Sequence, residues 1–183
     1  MTPRTQSIID KYYPEGTRLR DIYLRHCRSV ADLAMHINDA RGLGLDPDIV
    51  ESAAMLHDIG IFLTDADGID CHGTEPYIRH GILGAELLRK EGMPEEIARI
   101  AERHTGAGIT VSDIDEMKLP LPRRDYMPET LLERLVCYAD KFYSKTRLDS
   151  AKDLERVRVS MLRHSLSTLD RFDALHNEFK ITP

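Results

Sequence analysis

Apolar residues recur every three or four positions along most of this chain. Between residues 17 and 41, Leu19, Ile22, Val30 and Ile37 follow this spacing, which puts them on one face of an amphipathic helix. Similar stretches are separated by glycines and prolines, which commonly end and begin helices. No stretch alternates convincingly enough to predict a strand. The sequence therefore predicts an all-α fold of about six helices.

The predicted helices are joined by short connections except in two places. They cover approximately residues 17–41, 46–60, 77–90, 94–104, 129–144 and 151–180. Residues 62–76 are polar and rich in glycine and aspartate, which predicts a loop. Residues 105–128 predict a longer irregular segment with one short helix capped by Ser112. Long loops of this kind inside a domain are commonly functional.

The chain has 183 residues and a formal net charge of −6. This length predicts one domain over residues 1–183, with a core of about 19–145 and a long C-terminal helix of about 151–180. The acidic balance argues against a nucleic-acid partner and against binding to an anionic membrane. A small anion could still bind in a locally positive pocket.

The sequence also favours a cytoplasmic protein. No run of about 20 apolar residues, the length that crosses a bilayer, occurs in it, and residues 1–15 do not resemble a signal peptide. Its three cysteines are widely spaced and form no CxxC motif. This pattern favours free thiols in a reducing compartment.

Five polar side chains interrupt the apolar faces of five predicted helices. They are His26, His57, His80, His104 and Asp140. His57, for example, follows Val50 by seven positions and Ala53 by four, a spacing that puts the three on one helical face. We therefore expect all five side chains to project toward the core.

Each of these histidines, taken alone, is more commonly a hydrogen-bonded core residue than a metal ligand. Asp140 differs, because a buried carboxylate is costly unless it is paired or bound to a metal. Arg134 and Lys141 are its alternative partners. One shared metal site would account for all five residues, because it neutralises the carboxylate and accepts a lone pair from each imidazole.

Residues 55–60 strengthen the metal interpretation. His57 and Asp58 place two ligand types side by side at the end of a predicted helix, and Gly60 lets the backbone turn away. Imidazole and carboxylate together suit Fe, Mn, Zn, Co or Ni. No cysteine has the helical spacing of these residues, so a structural zinc site of the cysteine type is not expected.

With these residues the sequence resembles the HD superfamily, and in particular its His-Asp-Ile-Gly subset. The family's ligand order is present over about residues 19–145 as His26, His57-Asp58, His80, His104 and Asp140. The resemblance implies a compact HD-type helical domain that binds two divalent metals per chain. By this resemblance His26, His57, Asp58 and Asp140 hold one metal, His80 and His104 complete a second site, and Asp58 bridges the two.

Two groups within the superfamily are similar in finer detail. Residues 80–85, 104–105 and 138–140 resemble bacterial HD enzymes that split diadenosine tetraphosphate symmetrically. Residues 102–126 more closely resemble HD-type proteins without a known substrate. Ile61 stands where many relatives carry a lysine, which removes one expected phosphate-binding cation. No Gly-Tyr-Pro signature follows His104, which argues against a cyclic-dinucleotide substrate.

The resemblance implies a phosphohydrolase that acts on a nucleotide or another small phosphoester through metal-activated water. Asp58 would be its catalytic carboxylate, and its partner would be a phosphate-containing small molecule. Phosphate needs cations or N–H donors. The candidates are Lys141, Arg124, Thr105 and Arg103, with Lys145 one turn beyond Asp140. His36, His72, His164 and His176 are interpreted as surface or ordinary core residues.

Two further functions fit the same residues. Some HD proteins are di-iron oxygenases, and their ligand set is similar. A non-catalytic HD binding module is disfavoured because every ligand position is occupied. The apolar face of residues 166–179 could pack on the domain itself or on a second copy in a homodimer.

Overall fold

The computed structural model describes residues 1–181 and consists mainly of α-helices. The helices are α1 (Pro3–Tyr12), α2 (Arg18–Ala40), α3 (Pro47–Leu56), α4 (His80–Lys90), α5 (Glu95–Arg103), α6 (Val111–Met117), α7 (Leu131–Asp140), α8 (Leu154–Leu162) and α9 (Leu166–Phe179). A small sheet between α3 and α4 contains β1 (Thr64–Ala66), β2 (Cys71–His72) and β3 (Glu75–Pro76). Its central strand, β1, is antiparallel to β2 and parallel to β3. The all-α prediction is confirmed for most of the chain, whereas the predicted absence of strands is wrong for residues 64–76.

Helices begin where the sequence offers capping groups. The side chain of Asp46 accepts a backbone N–H at the start of α3, and Pro47 occupies the first turn, where a missing N–H is tolerated. The predicted start of this helix is therefore confirmed. The short helix α6 is capped by Thr110 and not by Ser112 as predicted, because Thr110 and Asp113 bond each other reciprocally in a capping box.

The helices that carry the inward polar residues share one core. α2 packs along α3 and α4 along α5, while α7 contacts α2, α3 and α5. Tyr23, Leu56, Leu88 and Phe172 are completely buried between these helices and α9, and each such side chain contributes about 1.5–3 kcal/mol by leaving water. The polar side chains on these elements therefore face a common interior.

The turn that follows α3 is pressed against α4. A Cβ on Gly60 would lie 2.4 Å from the amide nitrogen of Gly84 and 2.4 Å from the carbonyl oxygen of His80. A larger residue therefore does not fit at position 60. This close approach holds Asp58, two residues earlier, beside the beginning of α4.

Two parts of the helical prediction are wrong. The predicted helix over about residues 151–180 is two helices, because the Ser165 side chain accepts the N–H of Thr168 and begins α9. The apolar spacing continues across this break and does not reveal it. α1 was not predicted, although Pro3 starts it and Ile8 and Ile9 bury its inner face. None of the helices in residues 1–181 is long and apolar enough to cross a membrane.

Candidate metal centre

Six polar residues meet at the ends and inner faces of five helices. They are His26 of α2, His57 and Asp58 after α3, His80 at the start of α4, His104 after α5, and Asp140 at the end of α7. All six are buried, and His57 and Asp58 are completely so. The structure thus brings together every ligand predicted from the sequence.

The first cluster contains His26, His57, Asp58 and Asp140, and we call it the four-residue group. The Nε2 atom of His26 lies 3.1 Å from Oδ2 of Asp58 and 3.0 Å from Oδ1 of Asp140. The Nε2 atom of His57 lies 3.0 Å and 3.5 Å from the same two oxygens. One ligand atom from each residue lies within 4.8 Å of the others, a spacing that suits one enclosed cation.

The second cluster contains Asp58, His80 and His104, and we call it the three-residue group. Here the other carboxylate oxygen of Asp58, Oδ1, lies 3.4 Å from Nε2 of His80 and 3.3 Å from Nε2 of His104. The two Nε2 atoms are 3.0 Å apart. Asp58 therefore presents one oxygen to each group, which is the arrangement of a bridging carboxylate.

The backbone orients three of the four imidazole rings. The Nδ1 atoms of His57, His80 and His104 lie 2.6, 2.7 and 2.8 Å from carbonyl oxygens three residues earlier in the chain. A carbonyl only accepts hydrogen bonds, so each Nδ1 carries a proton, and each ring, once neutral, turns the lone pair of Nε2 inward. Backbone carbonyls commonly fix metal-binding histidines in this way.

The polar atoms of this cluster are arranged to suit a bound cation. Both carboxylate oxygens of Asp58 are buried, and neither finds a hydrogen-bond partner of good geometry within residues 1–181. The closest positive group is Nζ of Lys145, 2.6 Å from Oδ2. In their neutral form, His80 and His104 also point lone pairs at each other across 3.0 Å. A divalent metal on each side of Asp58 would satisfy all of these atoms, so the residues present fit the metals that the HD resemblance implies.

The protonation states largely suit metal binding. Burial lowers the pKa of His80 to about 3 and also lowers the pKa of His104, so both imidazoles are neutral at neutral pH. Burial alone would raise the pKa of Asp58, but the positive charges of His57 and Lys145 outweigh it and hold that pKa well below its usual range. For His57, the negative charge of Asp58 outweighs burial and raises the pKa well above its usual value. Metal binding must therefore displace a proton from His57.

A basic cavity of about 280 Å³ opens onto the metal centre, and we call it the lysine cavity. His80, His104 and Asp140 reach it from the metal centre. The other residues that line it include Lys141, Lys145, Lys152, Tyr77, Tyr143, Thr105 and His164. Lys141 donates to the carbonyl of His104 and to Asp140, at 2.9 Å and 2.7 Å. Three lysines thus line one small cavity in a protein of net charge −6.

Two of the four predicted phosphate-binding residues line the lysine cavity, and two do not. Lys141 and Thr105 line the lysine cavity. Arg103 and Arg124 do not line it, because each pairs with a carboxylate elsewhere. Arg103 lies 2.8 Å from Glu129, and Arg124 lies 2.8 Å from the buried Glu102 and stacks on a tyrosine ring.

Sequence reasoning missed two residues of the lysine cavity and gave little weight to a third. Lys152 was not considered, and His164 was interpreted as a surface or ordinary core residue. Lys145 was one of several cations near a helix end. All three lie in connections between helices, where no periodicity indicates the direction of a side chain. The order along the chain offers one signal, since Lys145 follows Asp140 within two helical turns.

Comparison with solved structures shows a shared fold. The HD domain of the phosphodiesterase PgpH from L. monocytogenes superposes with a TM-score of 0.57 at 18% identity, covering 97% of both chains. The same domain in complex with cyclic-di-AMP gives a TM-score of 0.56 at 19% identity, covering 100% of this chain and 90% of the other. At this level of identity the likeness concerns the fold.

Three archaeal relatives are similar in sequence. A tRNA (cytidine(56)-2'-O)-methyltransferase of Picrophilus torridus is 40% identical over 158 residues, and one of Thermoplasma volcanium is 35% identical over 178 residues. These alignments cover 86% and 91% of this chain but only 41% and 48% of the two methyltransferases. The chain therefore spans less than half the length of either. The Methanocaldococcus jannaschii protein MJ0778 is 35% identical, and the alignment covers 85% of this chain and 86% of that protein.

A match to a known protein family covers the part of the chain that forms the metal centre. The HD domain family matches residues 23–144, a range that contains all six residues of the metal centre and ends one residue before Lys145. The resemblance to the HD superfamily noted in the sequence is thereby confirmed. The chain belongs to the HD domain family.

Proposed function

We propose that this chain is a metal-dependent phosphohydrolase acting on a small phosphate ester. The observation that carries this proposal is the geometry of Asp58, whose two buried oxygens face two separate sets of inward Nε2 atoms. A carboxylate between two such sets is the pattern of a two-metal site, which clamps the attacking and leaving oxygens of a phosphoryl group.

The four-residue group would hold one divalent metal and the three-residue group a second. Nitrogen and carboxylate ligands without thiolate suit Fe, Mn, Co, Ni or Zn. When bound, such ions supply a hydroxide at neutral pH by lowering the pKa of a coordinated water. The protein contributes by orienting the imidazoles through the carbonyls of Ala54, Tyr77 and Ala101.

The lysine cavity supports the proposal that the substrate contains phosphate. Lys141, Lys145 and Lys152 all line it beside His80 and His104, so an anion next to the metals would meet several ammonium groups. Charged donors of this kind bind phosphate oxygens and stabilise charge that develops during phosphoryl transfer. Lys141 is already oriented by its bond to Asp140, which links the phosphate-binding groups to the metal ligands.

The names of the relatives bear on this proposal in different ways. PgpH is a phosphodiesterase, and its HD domain was solved with cyclic-di-AMP, which supports phosphoester chemistry on this fold. The two methyltransferase names describe proteins more than twice as long as the matched region. We do not propose methyl transfer for this chain, because the imidazole and carboxylate cluster is suited to holding metals.

The di-iron oxygenase is the competing function, and one experiment separates the two. The purified protein is analysed for metals, reconstituted with Mn²⁺, Fe²⁺, Co²⁺ or Ni²⁺, and incubated with a panel of phosphate compounds that includes diadenosine tetraphosphate. The products are separated, because a monoester releases phosphate whereas symmetrical cleavage of diadenosine tetraphosphate gives two ADP. The proposal expects about two metals per chain and hydrolysis of at least one compound with at least one ion. Two bound irons with oxygen consumption and no hydrolysis would favour the oxygenase. A protein that binds no metal under any condition would contradict both functions.

A further inference from the structure

We propose that the substrate is a phosphoester whose organic part carries one ring-sized, weakly polar group, and that this group binds in an apolar cavity beside the metal centre. We call this cavity the apolar slot. Its lining includes Ile78, Ile109, Met117 and Leu119. This inference rests on the proposed function and adds the chemical class of the substrate.

The apolar slot adjoins the lysine cavity. Thr105, Gly106 and His164 line both, so they form the boundary between the charged compartment and the apolar one. A phosphate held by the metals and the lysines would therefore lie within reach of the slot. Thr105 and His164 line the junction, where the linking atoms of a phosphoester would pass.

The carboxylate of Asp113 and the Nη2 atom of Arg171, two charged groups at the edge of the slot, bond each other. The carboxylate of Asp113 accepts from the backbone N–H of Thr110 at 2.8 Å and from Nη2 of Arg171 at 2.7 Å. Arg171 also donates to the carbonyl of Gly108 at 3.2 Å. Because the carboxylate is already paired and most of the lining is apolar, a strongly polar ligand group would lose its water and gain few hydrogen bonds in the slot. The lining therefore selects for apolar or aromatic groups.

The size of the slot limits the group to one ring system. Its volume is about 190 Å³, and an apolar protein cavity of roughly 150 Å³ is known to bind benzene. A single aromatic ring or a short branched hydrocarbon fits such a space. A second ring system of the substrate would have to lie outside it.

The test compares two non-hydrolysable phosphonates, methylphosphonate and benzylphosphonate, by calorimetric titration of the Mn²⁺-loaded protein. Both present the same anion to the metals and lysines, and only benzylphosphonate offers a ring to the slot. We expect benzylphosphonate to bind about tenfold more tightly or better, the advantage that burial of one phenyl ring provides. Leu119→Trp fills the slot and should abolish this advantage while leaving methylphosphonate binding unchanged.

Leu121→Trp is the matched control, because Leu121 packs on the same small hydrophobic cluster as Leu119 but does not line the slot. It should keep the preference for benzylphosphonate. Met117→Phe is a second variant that narrows the slot, and it should also reduce the preference for benzylphosphonate. Met117 is 40% exposed, so the fold tolerates a larger side chain there. Equal affinity for the two phosphonates would show that the ring does not bind in the apolar slot, and it would leave the proposed phosphohydrolase function standing. A metal-loaded protein that binds neither phosphonate would overturn both.

Discussion

The two ligand groups share Asp58 but differ in how completely the protein encloses them. The four-residue group has three residues besides Asp58, and two of these, His26 and His57, lie away from the lysine cavity. The three-residue group has only His80 and His104 besides Asp58, and both line that cavity. A closed set of protein ligands holds a metal, whereas an open set leaves coordination positions for water and substrate.

This difference assigns separate tasks to the two halves of one site. The four-residue group would be suited to retaining a metal, because one ligand atom from each of its residues lies within 4.8 Å of the others. The three-residue group would be suited to presenting a second metal to a substrate, since the lysines and the apolar slot lie on that side. Lys145 connects the two, because it lines the open cavity and also lies 2.6 Å from the Asp58 oxygen that faces the closed group.

The largest expected effect comes from removing the residue that both groups share. Asp58→Ala should eliminate both metals and lower phosphoester turnover at least about a thousandfold, because the several kcal/mol that the metals contribute are lost. Elemental analysis and phosphate release measure the two effects. His72→Ala is the control, since His72 is an exposed histidine paired with a surface aspartate. An Asp58→Ala protein with two metals and normal turnover would show that Asp58 is not the bridge.

The next effect separates the two groups. His80→Ala should leave about one metal per chain, held by the four-residue group, and lower turnover about a hundredfold through loss of the second ion. His26→Ala should instead weaken the better-enclosed metal. His36→Ala, on the same helix as His26 but exposed, should bind metal like the unmodified protein. Equal metal loss in His26→Ala and His80→Ala would contradict the proposed difference between the groups.

Lys145→Met tests the charge that links the groups. In the metal-free protein this change leaves the buried Asp58 without its closest positive partner, which should lower the free energy of unfolding by about 3 kcal/mol. With metals bound, the cost should be smaller, because the ions also compensate Asp58. Urea unfolding with and without Mn²⁺ measures both values. Lys152→Met is the control, since Nζ of Lys152 bonds a carbonyl oxygen and not a carboxylate. An equal cost in both states would mean that Lys145 does not compensate Asp58.

Gly60→Ala gives the smallest expected effect and acts through the backbone. The new Cβ would push against the carbonyl of His80 and the amide of Gly84, which should destabilise the protein by about 1–3 kcal/mol. Because His80 moves with α4, the three-residue group should lose metal affinity before the four-residue group does. Thermal unfolding and metal titration measure these changes. At Gly68 an added Cβ meets nothing within 4 Å, so Gly68→Ala should change neither. Unchanged metal binding in Gly60→Ala would show that the packing of this turn against α4 does not position the metal ligands.

Much of the site could be predicted because its residues lie on or next to helices. Their spacing from apolar neighbours indicates an inward direction, as for His57 relative to Val50 and Ala53, and the ligand types indicate a metal. Arg103 and Arg124 were predicted as phosphate contacts from their charge and not from helical spacing. In the structure they pair with the carboxylates of Glu129 and Glu102. A charge in the sequence does not reveal which opposite charge will lie beside it.

The sequence by itself determined the helical class of this protein and the kinds of ligand that point inward, because both depend on local periodicity and on residue chemistry. Only the tertiary structure decided how these groups meet. It divided the two oxygens of Asp58 between two sets of imidazoles, brought Lys145, Lys152 and His164 to one cavity, and placed the apolar slot beside it. Those contacts join residues far apart in the chain through irregular connections, whose direction is set by packing and not by any repeating pattern.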